Sequence, residues 1–360
     1  MDRPTPVELI VLCGFLGSGK TSLLVDFLRA EDAGDTAVIV NEAGEIGVDG
    51  AIVADGGSGV PMTLLANGCV CCSLRSGLVD TVHALLNAPR PDGRPLARII
   101  LETSGLSRPG PIIASLADPE LVGRGLRLCV VTTYDCARGP LGDEQFEEAA
   151  AQFAAAQRIV LTKTDLASPG ETSPGETSPG ETSPGATSPG EDGVLSLHAA
   201  RARALNPLAE IVPETDRALA VARAFAPLAA AAATDMALAA LNAAGAAAIA
   251  GRDARIVHPR IRVWRGTVRQ PVAWSAFSTW LDDLAGLCGD RLLRLKALLR
   301  VSDCPEPVLI QSVGTTFGMP RRMATVSPDQ DVLIVITRDL DGQAMRDLPA
   351  DAPVSLQALA

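Results

Sequence analysis

The sequence Gly-Phe-Leu-Gly-Ser-Gly-Lys-Thr at residues 14–21 decides the fold of the first half of this chain. An apolar run from Val7 to Cys13 precedes it and predicts a buried strand, and the residues that follow have apolar side chains at helical spacing. A glycine-rich turn that connects a strand to a helix and ends in Gly-Lys-Thr is typical of a phosphate-binding loop. Residues 14–21 are named the phosphate loop below.

The chemistry of phosphate binding gives most residues of the phosphate loop a role. Glycines let the backbone curl so that successive N–H groups point at phosphate oxygens, and the helix that follows adds the positive end of its dipole. Lys20 is expected to reach the β- and γ-phosphates, and the Thr21 hydroxyl is expected to bind Mg²⁺. The predicted nucleotide contacts here are Gly14, Gly17, Ser18, Gly19, Lys20, Thr21 and Ser22.

Lysine usage disfavours the alternative interpretation, a glycine-rich turn that binds no ligand. The chain has three lysines, Lys20, Lys163 and Lys296, among 31 basic residues. One of them stands at the motif position, where a compact ammonium suits a phosphate cradle better than a planar guanidinium. We therefore interpret the phosphate loop as a nucleotide-binding element.

Composition limits the classes of partner. Acidic residues outnumber basic ones by 42 to 31, and the net charge of −11 disfavours nonspecific nucleic-acid binding. No run of 18 residues is strongly apolar throughout, and the first residues lack the basic start and apolar core of a signal peptide. We therefore expect a cytoplasmic protein without a membrane partner, in which the eight cysteines are reduced.

Two further strand patterns end in acidic residues. Residues 36–40 precede Asn41 and Glu42, and residues 97–101 precede Glu102 and, three positions on, Gly105. In a parallel sheet, ligands collect at the carboxyl ends of the strands. Glu42 is a candidate for Mg²⁺, for the attacking water or for a second metal, or else it is a solvated loop acid. Glu102 is predicted to order Mg²⁺ or its water, and the Gly105 N–H to sense the γ-phosphate.

The segment Thr162-Lys-Thr-Asp165 ends another predicted strand and points to guanine. A carboxylate at Asp165 can accept hydrogen bonds from guanine N1–H and the exocyclic amine, whereas adenine presents no such pair of donors. The Lys163 stem can lie along the base. Thr162, Lys163 and Asp165 are the predicted base contacts, and residues 162–165 are named the base segment below.

Three cysteines, Cys69, Cys71 and Cys72, lie close to the start of a predicted helix that begins near Ser73. Thiolate pKa values fall near a helix N-terminus, and soft sulfur ligands favour Zn²⁺ or Cu(I) over Mg²⁺. The cluster predicts a metal or redox site, which needs a further ligand or a water. The isolated cysteines are expected to be buried and unreactive; they are Cys13, Cys129, Cys136, Cys288 and Cys304.

The remaining sequence predicts a second domain. We expect a GTPase-type domain at 1–215, with a disordered Ser-Pro-Gly-Glu-Thr repeat at 168–192, an Ala-rich helical connector at 216–254, and a C-terminal domain at 255–360. The patterns in the last domain predict strands at 260–268, 307–313 and 332–337. They also predict helices from Ser275, over 291–300 and near Gln343. The three tryptophans are expected to pack in its core.

In combination, the motifs resemble the CobW family of GTPases, which includes zinc metallochaperones and cobalamin-associated members. The resemblance is carried by the phosphate loop, Asn41-Glu-Ala-Gly44, Asn67-Gly-Cys-Val-Cys-Cys72, Glu102-Thr-Ser-Gly105 and the base segment, and by 292–296 and 310–313 in the second domain. It implies an α/β fold: a P-loop GTPase domain with a mostly parallel sheet, plus a smaller C-terminal α+β domain.

The resemblance also implies a function. GTP·Mg²⁺ is expected to sit on Lys20 and Thr21, with Glu42 and Glu102 near the metal and the water. The cysteine cluster is expected to hold a transition metal, most often zinc, with cobalt as the alternative, and Glu42 is a further candidate ligand. Nucleotide state then gates transfer of the metal to a client metalloprotein, by a monomer or a homodimer. The three histidines are not spaced as ligands.

Two other functions fit the same motifs. One is a nucleotide-gated protein-binding regulator with low turnover and structural cysteines, since intrinsic hydrolysis in such proteins can be slow. The other is a P-loop kinase, which would give an acceptor-dependent product instead of free phosphate.

Overall fold

The computed structural model describes twelve stretches of the chain. They are residues 7–30, 35–41, 62–65, 74–89, 94–116, 118–124, 126–138, 146–167, 191–227, 260–323, 331–349 and 351–358. Glu42, the cysteine cluster and the pentapeptide repeat lie outside them.

The first domain is built on a parallel sheet of seven strands. The strands are β1 (Glu8–Gly14), β2 (Thr36–Asn41), β3 (Met62–Leu65), β4 (Arg98–Glu102), β5 (Arg127–Asp135), β6 (Arg158–Thr162) and β7 (Glu210–Val212). Their order is β3-β2-β4-β1-β5-β6-β7, and every neighbouring pair is parallel. The predicted mostly parallel sheet is confirmed, and β1 lies at its centre.

Helices cover both faces of this sheet. In the described part of the domain they are α1 (Lys20–Ala30), α2 (Leu74–Asn87), α3 (Pro109–Leu116), α4 (Pro119–Gly123), α5 (Glu147–Ala155), α6 (Glu191–Leu205) and α7 (Arg217–Ala224). Alternate residues of β1 point to opposite faces, so Ile10 packs with α1 and α7, whereas Leu9 packs with α2 and α3. Burial on both faces explains why the strands are almost entirely apolar.

In its described residues the second domain is an antiparallel sheet with one α-helix. Its elements are β8 (Ile261–Val268), α8 (Trp274–Cys288), β9 (Leu292–Val301), β10 (Cys304–Val313), β11 (Thr316–Phe317), β12 (Arg321–Arg322), β13 (Val332–Arg338) and β14 (Val354–Ala358). The order is β11-β10-β9-β13-β8-β14, with β12 on β10. Because β13 is antiparallel to both β8 and β9, those two strands run parallel to each other on either side of it. The predicted α+β class is confirmed.

One face of the second sheet packs against a helix of its own domain, and the other face packs against the first domain. One face packs against α8 through a core that includes Trp264, Phe277 and Trp280. The other face packs against α5 and α6 of the first domain, where Ile334 and Leu298 join Phe153 and Leu205 in one cluster. The two domains therefore share a hydrophobic core.

Two predicted elements of the second domain are wrong. Residues 291–300, predicted as a helix, form the strand β9, and the helix expected near Gln343 is a single 3₁₀ turn at Ala344–Asp347. The sequence Leu-Leu-Arg-Leu-Lys-Ala-Leu-Leu fits helical spacing, but β9 is buried on both faces between α8 and the first domain, so its apolar residues do not alternate. Pairing with β10 and β13 decides its conformation.

Helix α7 shows how far the packing of the first domain extends along the chain. Val221, Ala224 and Phe225 pack against α1 and the sheet, although α7 lies within the 216–254 segment that the sequence analysis treats as a connector. Asp216 begins the helix by accepting a hydrogen bond from the Leu219 N–H. The domain limits themselves stay a prediction.

None of the described helices is both long and apolar enough to span a bilayer.

Trp280 offers the sharpest test of the second core. Its side chain is 1% exposed, and its indole N–H has no hydrogen-bond partner among the described residues. We expect Trp280→Ala to lower the free energy of unfolding by about 3–5 kcal/mol, because it leaves a large cavity. Trp280→Phe keeps most of the apolar contact and should lower it by only about 1–2 kcal/mol. Urea denaturation followed by circular dichroism measures both; equal losses would contradict the packing.

Candidate nucleotide-binding site

The phosphate loop has the backbone that its glycines predict. β1 ends at Gly14 and α1 begins at Lys20, so the loop joins a central strand directly to a helix N-terminus. Gly14, Gly17 and Gly19 have φ angles of 147°, 72° and 90°, which favour glycine. A Cβ on Gly14 would lie 2.0 Å from Thr133 Oγ1, so no larger residue fits there. The loop is thereby shaped to present N–H groups to an anion.

Lys20 and Ser18 turn inward from the loop. The Lys20 ammonium donates to the carbonyl oxygens of Gly14 at 2.8 Å and Phe15 at 3.2 Å, and the residue is 8% exposed. Ser18 Oγ lies 2.6 Å from Thr133 Oγ1. A buried ammonium held over the curl of the loop fits a polyphosphate, because it can exchange carbonyl partners for phosphate oxygens without entering water.

Thr21 and Glu102 form the oxygen-rich part of the site. Thr21 Oγ1 donates to Glu102 Oε1 at 2.6 Å, and Glu102, the last residue of β4, is 4% exposed. A hydroxyl beside a buried carboxylate is a hard oxygen donor set of the kind that Mg²⁺ prefers, so these residues fit the predicted ion. Ser22, in the first turn of α1, is exposed.

Gly105 touches the phosphate loop and is tied to α5. A Cβ on Gly105 would lie 2.7 Å from the Leu16 backbone nitrogen, so the two backbones are in close contact. Gln152 of α5 is fully buried and donates to the carbonyls of Gly105 at 3.0 Å and Ser107 at 2.9 Å. Arg108 donates to Glu147 at 2.6 Å. The segment after β4 is therefore anchored to one face of α5.

The other contacts of α5 reach the second domain. Glu147 lies 3.2 Å from Arg260 and 2.9 Å from Arg338. Desolvation raises the pKa of the Glu147 carboxyl, but the guanidiniums of Arg338, Arg260 and Arg108 together hold it below its usual range. At the far end of the helix, the buried Arg294 of β9 donates to the Ala155 carbonyl at 2.6 Å. Helix α5 thus contacts the second domain at both of its ends and contacts the nucleotide site through Gln152.

The base segment lies beside the phosphate loop. The Thr162 hydroxyl donates to the Ser18 carbonyl at 2.8 Å and the Tyr134 carbonyl at 3.0 Å. Lys163 has a left-handed backbone, with φ of 53°, and precedes a 3₁₀ turn at Thr164–Leu166. Asp165 is exposed in that turn. Its carboxylate is accessible to a base.

The structure therefore brings together all the predicted nucleotide contacts that it describes, at the carboxyl edge of the first sheet. Four neighbours of the site were not predicted from the sequence: Thr133, Asp135, Arg138 and Gln152. Asp135 could have been predicted as a site residue from the sequence, because it ends a buried strand in the same way as Glu102. The contacts of the Arg138 side chain with Leu16 and of Gln152 with Gly105 join residues far apart in the sequence.

The predicted metal site lies outside the described residues. Glu42, Cys69, Cys71 and Cys72 are not described, and within the described ranges no three His, Cys, Asp or Glu side chains form a metal-binding group. The cysteine cluster stays a prediction.

The isolated cysteines behave as expected where they are buried. Burial raises the pKa of the thiols of Cys13 and Cys288 to about 11 and of Cys129 and Cys136 to about 12, which leaves them protonated and unreactive. Cys304 is half-buried.

Family models match both domains. The model described as "CobW/HypB/UreG, nucleotide-binding domain" matches residues 8–178, and the one described as "Cobalamin synthesis protein cobW C-terminal domain" matches residues 261–351.

Similar proteins include several named for zinc. The chain is 37% identical over 163 residues to "Zinc chaperone YjiA" of Escherichia coli, an alignment that covers 45% of this chain and 51% of that protein. It is 34% identical over 170 residues to "Zinc-regulated GTPase metalloprotein activator 1" of Schizosaccharomyces pombe, covering 45% and 40%. The chain thus spans about half the length, or less, of these curated relatives.

A solved structure supports the fold. The "Zn(II)-bound YjiA GTPase from E. coli" superposes with a TM-score of 0.58 at 21% identity, covering 97% of this chain and all of that one. At this identity the likeness shows the architecture alone. Because the two family models together match well over half of the residues, in the same order as the two observed sheets, the chain belongs to the CobW family.

Proposed function

We propose that the protein is a GTP-hydrolysing metallochaperone or metal-insertion factor. It would convert GTP to GDP and phosphate and couple this cycle to transfer of a transition metal, zinc before cobalt, to a client metalloprotein. The observation that carries the proposal is the convergence of the phosphate loop, Glu102, Gly105 and the base segment at one sheet edge. As part of this proposal the activity is cytoplasmic, as the sequence leads us to expect.

The nucleotide half follows from the geometry. Lys20 would exchange the Gly14 and Phe15 carbonyls for the β- and γ-phosphates, and the loop N–H groups would bind the same oxygens. Thr21, next to Glu102, would hold Mg²⁺, which would supply positive charge to the polyphosphate when bound. Glu102 and Glu42 are the candidates to orient the attacking water, and Gly105 is placed to respond to the γ-phosphate because its backbone touches Leu16.

The metal half follows from the cysteine cluster and the relatives. Cys69, Cys71 and Cys72 precede α2, which begins at Leu74, by two to five residues, and a helix N-terminus favours thiolates. The relatives named for zinc support zinc as the metal. The name "metalloprotein activator" of one relative supports a metalloprotein client.

A cysteine variant tests the metal half. We expect the wild-type protein to bind Zn²⁺ stoichiometrically, and more tightly with GTP. The combined variant C69S/C71S/C72S should bind it roughly a hundredfold or more weakly, because it loses the soft ligands. Competition with a chromophoric zinc chelator measures the affinity, and C304S, which alters an isolated half-buried thiol, is the control. Equal zinc affinities in the wild type and the combined variant would contradict the metal-binding part of the proposal without affecting its GTPase part.

The second candidate function is a nucleotide-gated protein-binding regulator with low turnover. The contacts of α5 favour it, because a helix that joins the Gly105 segment to the second domain can expose a docking surface without hydrolysis. Single-turnover hydrolysis, measured with and without Zn²⁺, separates the two functions. A rate that stays negligible under both conditions would favour the regulator.

A further inference from the structure

We propose that Asp135 is a positioning residue of the nucleotide site, which holds the base segment and the phosphate loop in fixed relation to each other. The inference rests on the proposed function, since it concerns how GTP is held. It assigns a role to Asp135, and through it to Arg138, in the recognition of guanine nucleotides.

The sheet topology puts Asp135 between the two halves of the site. β5 is the strand between β1, which leads into the phosphate loop, and β6, which leads into the base segment. In the register of these strands, Thr133 is paired with Gly14 and Asp135 with Thr162. Asp135 therefore extends two residues beyond the start of the phosphate loop, at the level of the base segment.

The carboxylate of Asp135 binds the lysine of the base segment. Lys163 Nζ lies 2.6 Å from Asp135 Oδ2, and only 2% of the Asp135 side chain is exposed. Such a charge-assisted bond is strong, and removing one partner would leave the other charge poorly compensated. It fixes the end of the Lys163 side chain, whose stem is predicted to lie along the base.

The same carboxylate organises the turn that carries Arg138. Its Oδ1 accepts hydrogen bonds from the backbone N–H groups of Ala137 at 3.0 Å and Arg138 at 3.4 Å. Arg138 Nη1 then donates to the Leu16 carbonyl of the phosphate loop at 3.2 Å, and a Cβ on Gly17 would lie 3.8 Å from Nη2. One buried acid thus connects a cation of the base segment with a cation on the phosphate loop.

This arrangement has a thermodynamic consequence. A site whose groups are already fixed loses less conformational entropy when the ligand binds. Because Asp135 fixes Lys163 and the Arg138 turn together, contacts to the guanine and contacts to the phosphates are expected to strengthen each other. Loss of the Asp135 charge should therefore weaken nucleotide binding through Lys163.

The central test is a double-mutant cycle with GDP as the probe. D135N keeps an oxygen acceptor for the two backbone N–H groups but removes the charge that holds Lys163. We expect D135N and K163M each to weaken GDP binding about tenfold, because each removes one charge-assisted bond. The affinity of D135N/K163M for GDP should be at most a few-fold lower than that of whichever single variant binds GDP more weakly. Losses that multiply to about a hundredfold would show independent action and overturn the proposal.

A second variant addresses the phosphate side. Arg138 has a 55% exposed side chain, so R138M is not expected to disturb the core. It should weaken binding of GDP by about threefold to tenfold and leave binding of guanosine, which lacks phosphates, unchanged. Equal effects on GDP and guanosine would contradict the predicted division of roles.

Two controls keep the test specific. D26N breaks an ion pair of the same 2.6 Å length, between Asp26 and Arg217, at an exposed position, and should leave GDP affinity unchanged. Thermal melting reports whether each variant is folded; a D135N protein that melts earlier but binds GDP like the wild type would make Asp135 merely structural. If the wild type itself does not bind GDP, the proposed function fails instead, so the two failures are distinguishable.

Discussion

Lys20→Ala is expected to lower the rate of GTP hydrolysis at least about a hundredfold, because phosphoryl transfer depends on positive charge placed against the β- and γ-phosphates. The Lys20 ammonium is buried and held over the loop by the Gly14 and Phe15 carbonyls. No second lysine can replace it, since Lys163 is bound to Asp135 and Lys296 lies in β9 of the other domain. The variant should therefore lose transition-state stabilisation that nothing nearby restores.

Release of phosphate under multiple-turnover conditions measures this effect. Arg217→Ala is a suitable control, because it removes one cation from an exposed ion pair on α7 and should leave the rate within about twofold. Circular dichroism checks that the Lys20 variant is folded. Hydrolysis at the wild-type rate by a folded Lys20→Ala protein would contradict the assignment of the phosphate loop as the catalytic site.

Sequence patterns predicted the central strands of the first domain because these strands are locally consistent. Strands β1, β2 and β4 are short apolar runs bounded by turn residues, and the phosphate loop combines glycine conformation, strand and helix in one continuous segment. The second domain was harder to predict from the sequence. The residues of β9 fit a helical pattern, and only burial against two different partners, α8 and the first domain, explains why they form a strand.

The nucleotide site shows the same division. Residues within a motif, such as Lys20, Thr21 and Asp165, were predictable because the motif encodes the chemistry. Asp135 and Gln152 act across 28 and 47 positions of sequence, on Lys163 and on Gly105. Their roles depend on strand order and on which helix covers which face, and local spacing does not contain that information.

Helix α5 connects the nucleotide site of the first domain with the second domain. Gln152 and Glu147 hold the segment after β4, while Arg294 and Arg338 bind the same helix from the second domain. The attachments are buried or shared by several charges, so a shift of the Gly105 segment would have to move α5 or break them. Under the proposed function, a nucleotide-dependent shift of the Gly105 segment would therefore reach the second domain through α5.

Asp165→Asn is expected to change which base the protein accepts. The exposed Asp165 carboxylate is predicted to accept from guanine N1–H and the exocyclic amine. Asparagine would lose the bond to the amine and the charge that strengthens the bond to N1–H, so GTP binding should weaken about a hundredfold or more. Asparagine offers one acceptor and one donor. That pair complements xanthine, which keeps N1–H and has a carbonyl where guanine has its amine. XTP should therefore bind to the variant better than to the wild-type protein.

Competition of GTP, XTP and ATP against a fluorescent GDP analogue measures this exchange. Asp283→Asn, which alters an exposed carboxylate on α8 in the other domain, is the matched control and should leave all three affinities unchanged. An unchanged ratio of GTP to XTP affinity in Asp165→Asn would show that Asp165 does not contact the base. If that ratio changes and the variant still hydrolyses XTP, then base selection and phosphate chemistry are separate functions. This is expected, because Asp165 follows the end of β6 whereas Lys20 follows the end of β1.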